Sequence, residues 1–182
     1  MVGLGNPGPD YRDTRHNLGF RVVELVARRL GAAAERELCG ALVGAAGATL
    51  LVRPQTFMNR SGWAVRCLVD RFELPAPACL IVYDEVALPL GRLRLRAKGS
   101  PAGHRGMESI VEALHTDEVP RLRMGIAPAD GSALPLDLAP YVLAPFAAEE
   151  REAVDPIVEH AADAALAWAN EGIETAMARF NG

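Results

Sequence analysis

The chain has 182 residues, half of them apolar, 23% charged, with a net charge of −4, enough for one domain-sized unit to bury its own core. Three cysteines, Cys39, Cys67 and Cys79, form no C-x-x-C pair, so their spacing speaks against a zinc site and a disulfide framework and favours a reducing, cytoplasmic address. No apolar run reaches the roughly 18 residues that span a bilayer, and the start, MVGLGNPGPDYRDTRHN, lacks the basic head and apolar stretch of a secretion signal.

In chain order, Val2 to Leu4 is an apolar start that breaks at Gly5-Asn6-Pro7-Gly8. Leu18 to Leu30 then carries apolar residues at helical spacing until Gly31 stops it. Ala41 to Val43 and Thr49 to Val52 flank Gly44 and Gly47 and read as a hairpin ending at Pro54. Gly62 to Phe72 is predicted helical, capped by Asn59 or Ser61, and Leu80 to Tyr83 is the apolar run of a buried strand that stops at Asp84-Glu85. Arg92 to Arg96 alternates charge with apolar residues at period two, Gly106 to Leu114 is helical in pattern, and Leu122 to Ile126 is one more strand. The tail from Ala147 to Phe180 reads as two helices meeting near Pro156. Strands separated by helices predict a single three-layer α/β/α domain over residues 1–182, and the hairpin makes its central β-sheet mixed.

The acidic total hides an asymmetry. From Ala147 onward eight acidic residues face two basic ones, a local −6 that leaves +2 for the first 146 residues. Arg92, Arg94, Arg96 and Lys98 fall two apart, which on a strand puts them on one face, and Arg121 and Arg123 repeat the spacing later. With Arg12, Arg15 and Arg105 in loops, they form a basic surface suited to a phosphate backbone, although a charged strand face is often only solvated.

Gly3, Gly5 and Gly8 match G-x-G-x-x-G, but Pro7 stiffens the turn and no helix opens directly after Gly8, so a dinucleotide site is the weaker reading and a turn presenting Asn6 the stronger. His16 sits in a polar loop just before a helix, where an imidazole suits a general base or merely a surface position. Asp84 ends an apolar strand, the place of a catalytic carboxylate in this architecture and also of a turn residue. Asn59, in Thr56-Phe57-Met58-Asn59, offers an amide to a substrate carbonyl or to a helix end. His115 and His160 fall in helix patterns without ligand spacing, and there is neither an H-E-x-x-H nor a G-x-S-x-G motif.

Taken in order, Val2-Gly3-Leu4-Gly5-Asn6-Pro7-Gly8, Tyr11, Thr14-Arg15-His16-Asn17-Leu18-Gly19, Thr56 to Asn59 with Ser61-Gly62, Asp84-Glu85 before Leu88-Pro89-Leu90-Gly91, Gly103-His104 and Arg121 to Ile126 resemble the bacterial peptidyl-tRNA hydrolases across nearly the whole chain. The resemblance implies a monomeric, metal-free and cofactor-free esterase of translation that cuts the ester between a peptide and the 3′ ribose of tRNA. It implies His16 as general base, Asp84 as its orienting carboxylate, and Asn6 and Asn59 as amides holding peptide and attacked carbonyl. Tyr11, Met58, His104 and Arg105 would meet substrate, with His104 in a mobile loop, and Arg96 and Arg123 would hold the tRNA 5′ phosphate. Arg105 departs from the family's usual asparagine, Pro101-Ala102 replaces part of a glycine run, and the first strand reads as clipped. The alternative is a non-catalytic RNA-binding relative of the same fold.

Overall fold

In the computed structural model, which describes residues 1–182, seven strands form one mixed sheet in the order β2-β3-β4-β1-β5-β7-β6. The strands are β1 (Val2–Gly3), β2 (Arg36–Leu38), β3 (Ala41–Ala46), β4 (Thr49–Pro54), β5 (Ile81–Pro89), β6 (Leu93–Arg96) and β7 (Arg121–Ala127). The helices are α1 (Leu18–Leu30), α2 (Ser61–Arg71), α3 (Arg105–Leu114), α4 (Leu138–Val142), α5 (Ala148–Glu171) and α6 (Ile173–Phe180). β1 pairs in parallel with β4 and β5, and β5 with β7, while β2–β3, β3–β4 and β6–β7 are antiparallel.

Alternation along β5 builds the layers. Leu80 and Val82 enter a core with α1 and α5, whereas Ile81 and Tyr83 enter a second core with α2 and α3. The three-layer α/β/α class with a mixed sheet is therefore as the sequence predicts. No helix is long and apolar enough to cross a membrane.

Backbone contact sets the distance between α1 and the sheet. A Cβ on Gly19 would lie 2.3 Å from the Val82 carbonyl oxygen and 2.4 Å from the Leu4 nitrogen, and one on Gly3 would lie 2.1 Å from the Gly19 carbonyl oxygen. Only glycine at both positions lets the start of α1 rest directly on β1 and β5, which carries the preceding residues to the end of the sheet.

Several boundaries differ from the sequence reading. The hairpin strands extend to Ala46 and Pro54, and the edge strand β2 joins them; Arg36-Glu37-Leu38 has too few apolar residues to announce itself. β5 does not stop at Asp84-Glu85 but continues to Pro89, because β7 keeps pairing with it through Glu85 opposite Gly125. Neither Asn59 nor Ser61 caps α2 with its side chain, since a short 3₁₀ turn (Met58–Arg60) leads into the helix instead. The tail helices meet at Gly172 with φ 85°, not at Pro156. α5 runs through Pro156, where Glu152 and Pro156 are both exposed, so water can take the carbonyl that the proline leaves without an N–H. His115 lies past the end of α3 as its left-handed cap, and His160 is exposed on α5.

The cysteine reading is also overturned: Cys39 and Cys67 form a disulfide across 28 residues, leaving Cys79 as a buried free thiol. Spacing could not show the pairing, because the β2–β3 turn and α2 meet only in the folded chain. The cysteines therefore give no argument for a reducing compartment.

Candidate active site

The site forms where β1 ends while β5 continues. Gly3 pairs opposite Val82 and the Leu4 N–H reaches the Val82 carbonyl, but beyond that β5 has no partner on its β1 side. Asp84 stands at this opening, its side chain 1% exposed. The strand is longer than predicted, yet the carboxylate still marks the end of a ladder.

His16 reaches Asp84 from the 3₁₀ turn Arg15–Asn17 that leads into α1, with Nδ1 2.9 and 3.0 Å from the two carboxylate oxygens. Its neighbours in the turn hold it there. Asn17 and Asn6 exchange hydrogen bonds in both directions: the Asn6 N–H donates to Asn17 Oδ1 and Asn17 Nδ2 donates to the Asn6 carbonyl, each at 2.9 Å. Arg15 donates to the Pro145 carbonyl at 2.8 Å, pairs with Glu150 at 2.5 Å and lies 4.3 Å over the Tyr141 ring. Arg15 is thus buried as an anchor for the C-terminal segment and is not part of a basic surface.

Sequence reasoning named His104 for contact with substrate but missed its partner, Asp84. At the end of the loop before α3 it is that helix's side-chain N-cap: its Nδ1 accepts the Met107 N–H at 3.3 Å, while its Nε2 lies 3.2 Å from Asp84 Oδ1. The cap assigns the tautomer, because a nitrogen that accepts from an N–H carries no proton; Nε2 therefore holds the proton and donates to Asp84. Burial alone would raise the Asp84 carboxyl, but the charge of His16 and hydrogen bonds from both rings outweigh it and hold the group below the usual carboxylate range. Tyr83, tilted 50° against the His104 ring with centres 4.5 Å apart, is pushed up to about 12, chiefly by burial.

His16, Asp84 and His104 bring three potential metal-ligand atoms within 4.8 Å of one another. Their wiring suits protons better than a metal. A cation on His104 Nε2 would move that ring's proton onto Nδ1, against the Met107 N–H that now donates to it.

Asn6 is nearly buried, and its Oδ1 accepts the Met58 N–H at 2.8 Å, tying the Thr56–Asn59 loop to the end of β1. Its Nδ2 makes no hydrogen bond within the protein. Asn59 follows Met58 in the 3₁₀ turn, exposed. Met58 is buried, and Gly106 packs so closely that a Cβ there would lie 2.5 Å from the Met58 sulfur. Half-buried Tyr11 meets Phe57 edge to face at 6.4 Å, and Phe57, 57% exposed, is an aromatic wall that the sequence reading passed over. Arg105 opens α3 beside His104, exposed and without an ion-pair partner.

The basic strands share one face, with Arg94 opposite Arg123 and Arg96 opposite Arg121. Their side chains differ in use. Arg92, Arg94, Arg96 and Lys98 are exposed, and only Lys98 has a carboxylate partner, Glu118. Arg121 is 2% exposed and donates to the carbonyls of Gly99, Ser100, Asp117 and Val119, so it braces the loop before α3 and offers nothing to a phosphate. Arg123 is held by Glu85 through contacts of 2.8 and 2.7 Å and keeps partial exposure.

A buried carboxylate between two histidines can orient an imidazole to accept a proton from water, which is chemistry suited to hydrolysis. The family model for peptidyl-tRNA hydrolase matches residues 1–182. The chain belongs to the peptidyl-tRNA hydrolase family. Peptidyl-tRNA hydrolases of Carboxydothermus hydrogenoformans and Caldanaerobacter subterraneus are 45% and 42% identical, each aligned over all of this chain and covering 97% and 98% of their own lengths. A crystal structure of the Acinetobacter baumannii peptidyl-tRNA hydrolase superposes with a TM-score of 0.91 at 30% identity, covering all of this chain and 93% of that one. The family acts on peptidyl-tRNA as an ester hydrolase, and this chain's activity is that hydrolysis. The glycine-loop match to a dinucleotide site gains nothing from the geometry: Pro9–Tyr11 is a single 3₁₀ turn, and Gly3 serves close packing against α1.

Proposed function

We propose that His16 is the general base of this peptidyl-tRNA ester hydrolysis, and the observation that carries the proposal is its Nδ1 contact with Asp84. With Nδ1–H directed at the carboxylate, Nε2 is left bare to receive a proton. A water gives its proton to Nε2 as its oxygen bonds to the ester carbonyl carbon. The carbonyl π pair moves onto oxygen, where the Asn59 amide donates to the oxyanion. Collapse breaks the bond to the ribose oxygen, which leaves with the proton from the imidazolium. Asp84 stabilises that imidazolium and fixes its orientation, following the logic of hydrolytic triads with water in place of serine.

Asn6 Nδ2 donates to the peptide, Tyr11, Met58 and His104 line the site, and Arg105 approaches the tRNA beside them. Arg96 and Arg123 hold the tRNA 5′ phosphate, Arg96 as the freer charge. No metal or cofactor takes part, and residues 1–182 act as a monomeric single domain. The cytoplasmic address rests on the substrate, which arises where ribosomes work.

The test follows acyl release from N-acetylaminoacyl-tRNA and from free aminoacyl-tRNA, with His16→Ala alongside. Cleavage of the blocked substrate, reduced about 10²- to 10⁴-fold in the variant with tRNA affinity retained, is the expected result. Near-normal turnover by His16→Ala would remove His16 from the mechanism; tRNA binding without cleavage by the unaltered chain would favour the non-catalytic relative.

A further inference from the structure

Trp63 is 59% exposed on the first turn of α2, four residues after Asn59 and four before Cys67, so the three fall on one side of that helical run. Its ring has a built support. Gly40 has a left-handed φ of 62°, and a Cβ there would lie 2.4 Å from Trp63 Cζ3 and 3.3 Å from Cε3 and Cη2, so the indole rests against bare backbone. The Gly40 carbonyl accepts the Gln55 N–H at 2.8 Å, which ties the turn to the end of β4, and the Cys39–Cys67 disulfide joins the same turn to α2 one helical turn beyond Trp63.

We propose that the Trp63 indole is a subsite for the peptidyl part of the substrate, stacking with an apolar or aromatic side chain about four residues from the ester. The inference rests on the activity assigned above. The unpaired arginines of β6 occupy one edge of the sheet, His16 and Asp84 its middle, and Gly40 with Trp63 the side of β3. A tRNA held on the β6 edge leaves its peptide to run the other way, past Tyr11 and Phe57. From β5 to β3 are three strand spacings of about 4.8 Å, and an extended peptide advances about 3.4 Å per residue, which brings its fourth residue to the indole.

The experiment uses the full chain and three blocked substrates on one tRNA: N-acetylaminoacyl-tRNA, and N-acetylpentapeptidyl-tRNA with either phenylalanine or alanine fourth from the ester. Trp63→Ala is expected to raise KM about five- to tenfold for the phenylalanine peptide. Its kcat, and both constants for the single-residue and alanine substrates, stay unchanged, while Trp63→Phe retains most of the preference. Equal effects on all three substrates, or none on any, would overturn the subsite. If the unaltered chain cleaves none of them, the activity itself is refuted and the subsite falls with it; the single-residue substrate, too short to reach Trp63, tells the two failures apart.

Discussion

The shared carboxylate makes an unusual prediction about Asp84→Asn. His104 cannot change its role, because its Nδ1 accepts the Met107 N–H, so its Nε2–H claims an oxygen at the Oδ1 position. The oxygen of the substituted amide therefore takes the Oδ1 position, shared between His104 Nε2 at 3.2 Å and His16 Nδ1 at 2.9 Å, and its NH₂ takes the Oδ2 position, 3.0 Å from His16 Nδ1. A donor there drives the His16 proton from Nδ1 to Nε2, and the nitrogen that should accept from water is occupied. The analogous change in a serine triad, through the same wrong tautomer, lowers kcat about 10⁴-fold, or about 5.4 kcal/mol at 1.36 kcal/mol per tenfold.

Removing His104's claim should then reverse part of the loss. His104→Ser keeps an oxygen that caps the Met107 N–H but is too short to reach the side chain at position 84. In the double variant the amide is free to rotate its oxygen toward His16 and restore a neutral hydrogen bond of about 1–1.5 kcal/mol, so kcat recovers about tenfold over Asp84→Asn alone. The assay is single-turnover cleavage of N-acetylaminoacyl-tRNA by the unaltered chain, both single variants and the double, with ¹⁵N imidazole shifts reporting the tautomer. A double variant as slow as Asp84→Asn, or slower by the factor His104→Ser causes alone, would refute the tautomer argument.

Three further outcomes follow from particular contacts. Arg96→Ala should weaken tRNA binding and reduce the slope of log affinity against log salt by about 0.7 to 0.9, one phosphate's share, with kcat at saturation unchanged; titrations at several salt concentrations check this. Arg121→Met should lower stability by about 3 kcal/mol, since it leaves the four carbonyls that Arg121 holds without their donor, and urea unfolding would expose an unchanged midpoint if the residue were merely a surface cation. Asp84, with its folded pKa depressed, contributes stability that is present above the unfolded value of about 3.9 and lost as pH falls toward the folded one. The stability advantage of the unaltered chain over Asp84→Asn should accordingly shrink below about pH 4, as measured by thermal unfolding across pH.

Much of the architecture was legible because its determinants are local. The 3.6-residue pattern of Leu18–Leu30 with Gly31 behind it, the apolar run into Asp84 and the period-two arginines all survive as α1, β5 and β6. What escaped was fixed by distant partners. Arg15 and Arg96 look alike in sequence, yet one is folded under Pro145 and Glu150 and the other stands in solvent. His104 reads as a loop residue because its two constraints, the Met107 N–H and Asp84, involve a helix start and a strand 20 residues away. The Cys39–Cys67 bond likewise depends on a turn meeting a helix, which no spacing rule encodes.

In the proposed mechanism, Asp84 and Glu85 let one strand serve both halves of the reaction. Alternation sends consecutive carboxylates to opposite faces of β5; both are buried, and each is matched to a different kind of cation. Asp84 faces histidines, whose charge comes and goes with a proton, so it can reward protonation of His16 during the attack. Glu85 faces Arg123, which never gives up its proton, so that pair is a fixed structural charge whose net field on a phosphate is small. If the tRNA's 5′ phosphate binds as proposed, it draws most of its attraction from Arg96 and its neighbours on β6, with Arg123 supplying directed N–H groups more than charge. Glu85→Gln would free the Arg123 charge: tRNA affinity should rise at low salt, with a steeper salt slope, while the pH profile governed by Asp84 and His16 stays in place. If Glu85→Gln shifted that profile instead, the two faces of the strand would not be electrostatically separate.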